Sequence, residues 1–393
     1  MGYKIYKILR EEKPPLPIEK KAFDGIIENE FYKITFNEES GLITSLFDKS
    51  LNLELLDGEA DNKMGQFIYE TLENRHQMER FTYNKIDTSF QQLLGNRTRL
   101  EHLDFVSMNQ GPIWQSVFFQ GDLAECASDP GISIEVRLYN QEKRIELKYG
   151  MRKIAHTTPE AVYVSFPFQL DDGKLFYEAQ GGMVNPGINQ LEGTSSDWNA
   201  IQNFVSVRSD KAQIIFGSHE IPLVQFGEIN TGRYYYQHQP KSNHIYSWVL
   251  NNYWTTNFKA SQEGEMKWNY MISSTADASN SMASRLSWGY RIPFLSRVLP
   301  AGDSEAKTTS LSLIKDLNKN LLLINAQPAM DNSGIVLQIR ETEGKKAVIK
   351  LTDLLPAGYT KAELVNVLED AIYGISDEIV VDPFGSVFIK ILR

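Results

Sequence analysis

The chain of 393 residues carries a single cysteine, Cys126. One thiol cannot close an intramolecular disulfide, and it cannot supply the paired thiolates of a cysteine-based zinc site. No run approaches the ~20 apolar residues needed to cross a bilayer, so no membrane partner is expected. The opening MGYKIYKILREE lacks the apolar stretch of a secretion signal. A soluble protein without a signal peptide in this chain is expected, with its compartment, cytoplasmic or periplasmic, left open. Positive charge is short as well: 40 Lys and Arg against 50 Asp and Glu give a formal net charge of −10. Binding a nucleic-acid backbone needs a basic patch, so no nucleic-acid partner is expected. Catalytic signatures are also missing: there is no HExxH, no Gly-x-Ser-x-Gly, no phosphate loop and no dinucleotide fingerprint. The six histidines, His76, His102, His156, His219, His238 and His244, form no helical ligand pair.

What is present reads as β-structure. Apolar residues make up 42% and charged residues 23%, a globular balance, and the length favours two domains. The segment IENEFYKITF (Ile27–Phe36) reads as one strand, NEESG as a turn and LITSLFD (Leu42–Asp48) as the next strand, a hairpin signal. ISIEVRLY (Ile132–Tyr139) alternates Ile132, Ile134, Val136 and Leu138 with polar or amphipathic residues, the mark of a strand with one buried face. Further strands are expected at Ile113–Gln120, Arg144–Gly150, Ala161–Phe168, Leu175–Ala179, Ala212–Gly217, Ile245–Leu250 and Gly264–Ser273. The exception is DASNSMASRLSW (Asp277–Trp288), which reads as a helix capped by Asp277 or Ser279 and burying Met282, Ala283 and Leu286. A smaller β unit follows, with strands at Leu311–Lys315, Leu321–Asn325, Ile335–Arg340, Ala347–Leu351 and Ile379–Leu392; Tyr359–Leu368 is open between strand and helix. KPPLP (Lys13–Pro17) reads as an extended linker. The expected domains are an N-terminal strand and linker at 1–22, a large β domain at 23–298 and a small β-sandwich at 299–393. So many strands exceed a ~100-residue sandwich, and two large facing antiparallel sheets fit best.

No complete catalytic set is legible. The adjacent carboxylates Asp171-Asp172 and Glu38-Glu39 read as turn residues, although paired carboxylates are what glycoside hydrolysis uses. His238 and His244 lie in an aromatic-rich loop, YYYQHQPKSNH. The loop from Gly181 leads to Asp197-Trp198, an aromatic beside a carboxylate, which suits a sugar: the ring packs on its C–H face and the carboxylate accepts from its hydroxyls. VLNNYWTTNF (249–258) has the same character, with Asn252 and Asn257 offering donors and acceptors and Tyr253 and Trp254 offering flat apolar faces. From composition alone, this stretch serves equally well as a sugar surface and as the end of a core strand.

In order along the chain, GYKIYKI, IENEFYKITFNEESGLITSLFDKSLNLELLD, DWNAIQNFVSV, LNNYWTTNF and ASRLSWGYRIP resemble the C-terminal region of glycoside hydrolase family 38, the retaining α-mannosidases, and in particular its bacterial branch. The resemblance implies an all-β fold: a large antiparallel supersandwich of the galactose mutarotase type, then a small β-sandwich. Complete members of the family begin with a distorted α/β barrel and a helical bundle; the barrel supplies an aspartate nucleophile and a zinc held by histidine and aspartate. Nothing in residues 1–393 resembles those motifs, so no catalytic residue and no metal ligand carries over. The implied role is a non-catalytic portion of a mannose-processing glycosidase, bracing the catalytic domain and helping shape the sugar site. Its implied partners are that domain and a mannose-containing carbohydrate, with zinc expected in the absent domain. The substrate-binding candidates are Asp197, Trp198, Asn252, Tyr253, Trp254 and Asn257. Two alternatives stand beside this reading: a stand-alone carbohydrate-binding module, and a sugar mutarotase or epimerase drawing on His156, His219 and Glu178. An excised β region would expose an apolar patch, which leaves homo-oligomerisation open.

Overall fold

In strand Ala127–Tyr139 the alternation seen in the sequence becomes two faces. Ile132, Ile134, Val136 and Leu138 are buried, while Glu135 and Arg137 pair on the other face at 2.9 Å. The Arg137 guanidinium also lies 4.6 Å from the centre of the Trp114 ring. Strand Ile145–Lys153 runs antiparallel beside it, with Val136 opposite Leu147 and Leu138 opposite Ile145. These two strands lie within a nine-stranded sheet. The computed structural model describes residues 2–7, 23–72, 95–194, 196–230, 238–253, 259–299, 309–312, 314, 317–356 and 358–393; the KPPLP linker lies outside them. Residues 17–179 and 183–278 form one compact unit, and residues 1–16, 180–182 and 279–393 form the other.

Within the large unit a six-stranded sheet faces the nine-stranded one. Its order is Asn199–Ala200, Leu223–Phe226, Ile245–Asn251, Glu160–Phe166, Phe67–Thr71 and Asn96–Arg99. The two sheets share one apolar core, closed by aromatic contacts such as Phe166 with Tyr270 (ring centres 4.8 Å apart) and Phe67 with Trp268 at 6.5 Å. Tyr270 also donates to Ser247 Oγ at 2.9 Å, a polar stitch through that core. Aromatic pairs of this kind contribute roughly 0.5–1.5 kcal/mol beyond the area they bury. This is the all-β supersandwich expected from the sequence.

Side-chain chemistry divides some of the expected strands. Ile27–Phe36 is two strands, Ile26–Glu28 and Tyr32–Phe36. Between them the Asn29 side-chain oxygen accepts from the Phe31 and Tyr32 amides at 2.8 Å, making a turn the apolar pattern conceals. The hairpin after Phe36 is organised by Asn37, whose side-chain oxygen accepts from Ser40 N, and by Gly41 at φ 68°. A Cβ at Gly41 would come within 2.5 Å of the Leu103 carbonyl, so the turn requires glycine.

The smaller unit is a β-sandwich. A five-stranded sheet, ordered Leu321–Pro328, Gly334–Glu341, Ser386–Leu392, Lys361–Val365 and Ala371–Ile375, shares a core with the two-stranded sheet Ala347–Lys350 and Glu378–Val381. Tyr359–Leu368 thus contains a strand, and Ile379–Leu392 is two strands split at Phe384, which sits at φ 53°. The helix runs Asn280–Arg291, and Ser279 caps it by accepting from Met282 N. Its buried stripe is Ser281, Ala283, Ser284 and Ser287; Met282 and Leu286 are only half-buried. The buried face is thus made of small residues, where the apolar pattern points to the larger side chains.

Candidate functional site

Strand Glu160–Phe166 is buried at every position, because both faces of the six-stranded sheet are covered. Val162, Val164 and Phe166 belong to the main core, while Ala161 and Tyr163 belong to a second cluster on the opposite face. That second cluster contains Ile68, Tyr246, Trp248 and Tyr253, with Trp198 and Leu223 packed at its margin. Trp248 is its hub. Its ring stacks on Tyr163 (5.9 Å, 10°) and meets Tyr253 at 5.8 Å and Trp198 edge-on at 5.7 Å.

A charged pair lies within this outer layer. Glu70 and Arg97 are direct cross-strand partners on Phe67–Thr71 and Asn96–Arg99. Arg97 Nε donates to the fully buried Glu70 carboxylate at 2.5 Å, and the Tyr253 hydroxyl donates to its other oxygen. Tyr253 and Tyr163 hydroxyls lie 3.3 Å apart, Gln225 donates to Tyr163 at 3.5 Å, and Asn230 N donates to Gln225. Burial works against the Arg97 charge, yet the Glu70 carboxylate overrides it and raises the guanidinium pKa above its ordinary value. Burial, aided by Tyr163 and Glu70, holds the Tyr253 phenol neutral far above the usual range.

A second network crosses to the inner face. The Lys153 ammonium and Glu160 carboxylate, both fully buried, pair at 2.8 Å. The Tyr69 hydroxyl donates to Glu160 at 2.5 Å, and Lys153 also donates to the Ile154 carbonyl. Burial pushes the neighbouring Cys126 thiol up to about 12, against the pull of Lys153, so it stays protonated and unreactive.

The candidates from the sequence occupy distinct places around these networks. Tyr253 is fully buried, with its ring in the aromatic cluster and its hydroxyl on Glu70. Trp198 is half-buried at the margin of the same cluster, and the adjoining Asp197 is buried. The fold thus brings Trp198 and Tyr253 onto one face through Trp248. Asn252 turns elsewhere: it accepts from Glu160 N at 2.6 Å and donates to the His156 and Ala260 carbonyls at 3.0 Å, stitching a loop to the strand. Trp254, Asn257 and His76 lie outside the described residues.

Of the remaining candidates, Glu178 is buried and accepts from Asn203 at 2.6 Å. His156 is bonded to the Glu125 carbonyl and His244 to Asp57. Among the described residues, no three His, Cys, Asp or Glu side chains are grouped to hold a metal. None of the described helices is long and apolar enough to cross a membrane. Sequence reasoning passed over Glu70, Arg97, Tyr163, Gln225 and Trp248. The available signal was Glu70 itself, a lone carboxylate inside the apolar strand FIYET.

Residues 27–215 match the model of the glycosyl hydrolases family 38 C-terminal domain. An α-mannosidase from Enterococcus faecalis V583 superimposes with a TM-score of 0.69 at 12% identity, covering 94% of this chain and 42% of its own. A glycosyl hydrolase family 38 protein from Enterococcus faecalis superimposes at 0.68 and 12% identity, covering 94% and 44% respectively. The chain therefore spans less than half the length of these two structures. A galactose mutarotase-like protein from Lactobacillus casei ATCC 334 overlaps 64% of this chain and 99% of its own, at 10% identity and a TM-score of 0.35. No curated protein matches the sequence.

Proposed function

We propose, from the match of residues 27–215 to the glycosyl hydrolases family 38 C-terminal domain, that the chain is the non-catalytic β portion of an α-mannosidase-like enzyme. It braces the catalytic domain and helps shape the sugar site. The observation that carries this reading is the finished outer face of the six-stranded sheet. A sheet that only closed a sandwich would need one apolar face; this one has a second aromatic layer locked by Glu70, Arg97 and Tyr253. Such a layer is a stiff base on which loops, or another domain, can be held in fixed geometry. The nucleophile and the zinc expected of such an enzyme would then belong to the catalytic domain, and mannose-containing carbohydrate would be met there.

A second reading draws on Trp198. A half-buried indole next to Asp197 has the composition of a sugar platform, which would make the chain a carbohydrate-binding module. Calorimetric titration with mannose oligosaccharides separates the two. Bracing predicts affinity no tighter than about 1 mM and no change in Trp198→Ala. Micromolar binding abolished by that substitution would replace the bracing role with a binding one.

A further inference from the structure

Beyond the helix Asn280–Arg291, the chain from Ile292 to Leu299 has no regular structure and every residue in it is exposed. Ile292, Phe294, Leu295, Val298 and Leu299 all present their side chains to solvent, and Phe294 and Leu295 do so completely. Single exposed apolar residues are ordinary; five large ones within eight positions mark a surface that meets something. The charge of this strap is also unusual. Arg291 precedes it and Arg297 lies near its end, with no acid from Asn280 to Leu299, in a chain of net charge −10.

The same unit carries the complement. The five-stranded sheet ends in the edge strand Ala371–Ile375, reached through a turn at Asn366–Asp370. Val367, Leu368, Ile372 and Tyr373 are exposed along this hairpin. Residues 365–381 hold four acids, Glu369, Asp370, Asp377 and Glu378, and no Lys or Arg. Glu369 is spent within the molecule, accepting from Met330 N at 3.0 Å and lying 3.9 Å from Lys390, so Asp370 and Asp377 bracket the apolar centre as the arginines bracket the strap. Arg291 and Arg297 are six residues apart and Asp370 and Asp377 seven, which in extended chain is about 20 and 23 Å. Both segments have an apolar centre and charged ends of opposite sign.

We propose that the strap 292–299 of one molecule lies along the Ala371–Ile375 edge hairpin of a second copy. Phe294 and Leu295 would pack over Ile372 and Tyr373, with Arg291 and Arg297 against the acids at either end. Two edges alone could not pair this way, because antiparallel self-pairing would set acid against acid. Each copy offers one strap and one edge, so reciprocal docking closes as a dimer. The contact also covers an exposed strand edge, which otherwise invites uncontrolled pairing.

Sedimentation velocity over a concentration series tests this. The wild-type chain is expected to dimerise, and the dimer to weaken as salt rises. Phe294→Asp/Leu295→Asp should lower the association constant at least ~100-fold, with an unchanged circular dichroism spectrum, since neither side chain is packed in the single molecule. Ile372→Asp/Tyr373→Asp should do the same from the other side. Mixing the two variants should restore a weaker dimer, because each retains the half the other lacks. Arg297→Glu should weaken association about tenfold, and adding Asp377→Arg should recover it; this pair keeps the test valid if an apolar variant folds poorly. A wild-type chain that stays monomeric to ~100 µM, a dimer indifferent to the strap variant, or a strap effect without an edge effect would each overturn the proposal. So would capture of the strap by a separately produced catalytic domain while the chain alone remains monomeric.

Discussion

Glu160 and Glu70 in the large unit and Glu341 in the small one are buried carboxylates held by different means. In the large unit, Glu160 and Glu70 each face a side-chain cation, Lys153 and Arg97, with a tyrosine hydroxyl as second donor. In the small unit, Glu341 is buried with backbone donors: the amides of Glu343, Gly344, Lys345 and Phe384, at 2.7–3.2 Å. The backbone cradle is mostly local, since three of its four donors follow Glu341 within four residues and form with the turn. The ion pairs join separate strands, Glu70–Arg97 within the six-stranded sheet and Lys153–Glu160 between it and the nine-stranded one, so they exist only once those strands have come together. A sheet covered on both faces has no water to solvate a carboxylate, so it must bring its own counter-charge. The large unit therefore ties its electrostatics to the same sheet that carries the aromatic layer, whereas the small unit ties its own to a turn.

That contrast can be broken at its strongest point by Lys153→Met. Glu160 would then be buried without its cation, and the large unit should lose roughly 3–5 kcal/mol in urea denaturation. Adding Glu160→Gln should restore most of the loss; a cost under ~1 kcal/mol for the single substitution would show that Glu160 does not depend on Lys153. Next in size is Glu341→Gln, which replaces one accepting oxygen with a donor facing amides. About 1–3 kcal/mol should go, and hydrogen exchange should quicken at Gly344, Lys345 and Phe384 while the large unit stays protected. Tyr253→Phe removes only a hydroxyl on Glu70 and should cost about 1–2 kcal/mol, without disturbing the stacked rings.

The smallest effect is a pH dependence. Burial alone would raise the Asp48 pKa, but hydrogen bonds from Lys143, Ser274 and Ser50 outweigh it and hold the carboxyl below its ordinary value. A folded-state pKa below the unfolded one stabilises the fold above the ordinary carboxylate range, and that contribution is lost as pH falls through the folded value. The urea midpoint should therefore drop on acidification, and Asp48→Asn should flatten that acid limb. An identical acid limb in the variant would remove Asp48 from the account.

Much of the fold was readable because one-faced strands advertise themselves: Ile132 to Leu138 alternates in the sequence and in the structure. The six-stranded sheet is harder to read, since Glu160–Phe166 is buried on both sides and shows no alternation. Turns made by a side chain, as at Asn29, or by a residue at positive φ, as at Phe384, cut apolar runs that look continuous. The aromatic layer was half legible. Trp198 and Tyr253 were singled out for their flat faces, and Tyr253 proves to spend its ring inside a cluster and its hydroxyl on a carboxylate. Glu70 and Arg97 are 27 residues apart and meet only through strand register, which no local pattern encodes.

The most direct test is hydrolysis of an aryl α-mannoside by the purified chain, with and without added zinc. In the proposed role the reacting groups would belong to a catalytic domain, so no turnover above buffer is expected in either condition. Zinc-dependent release of the aryl group by this chain alone would contradict it.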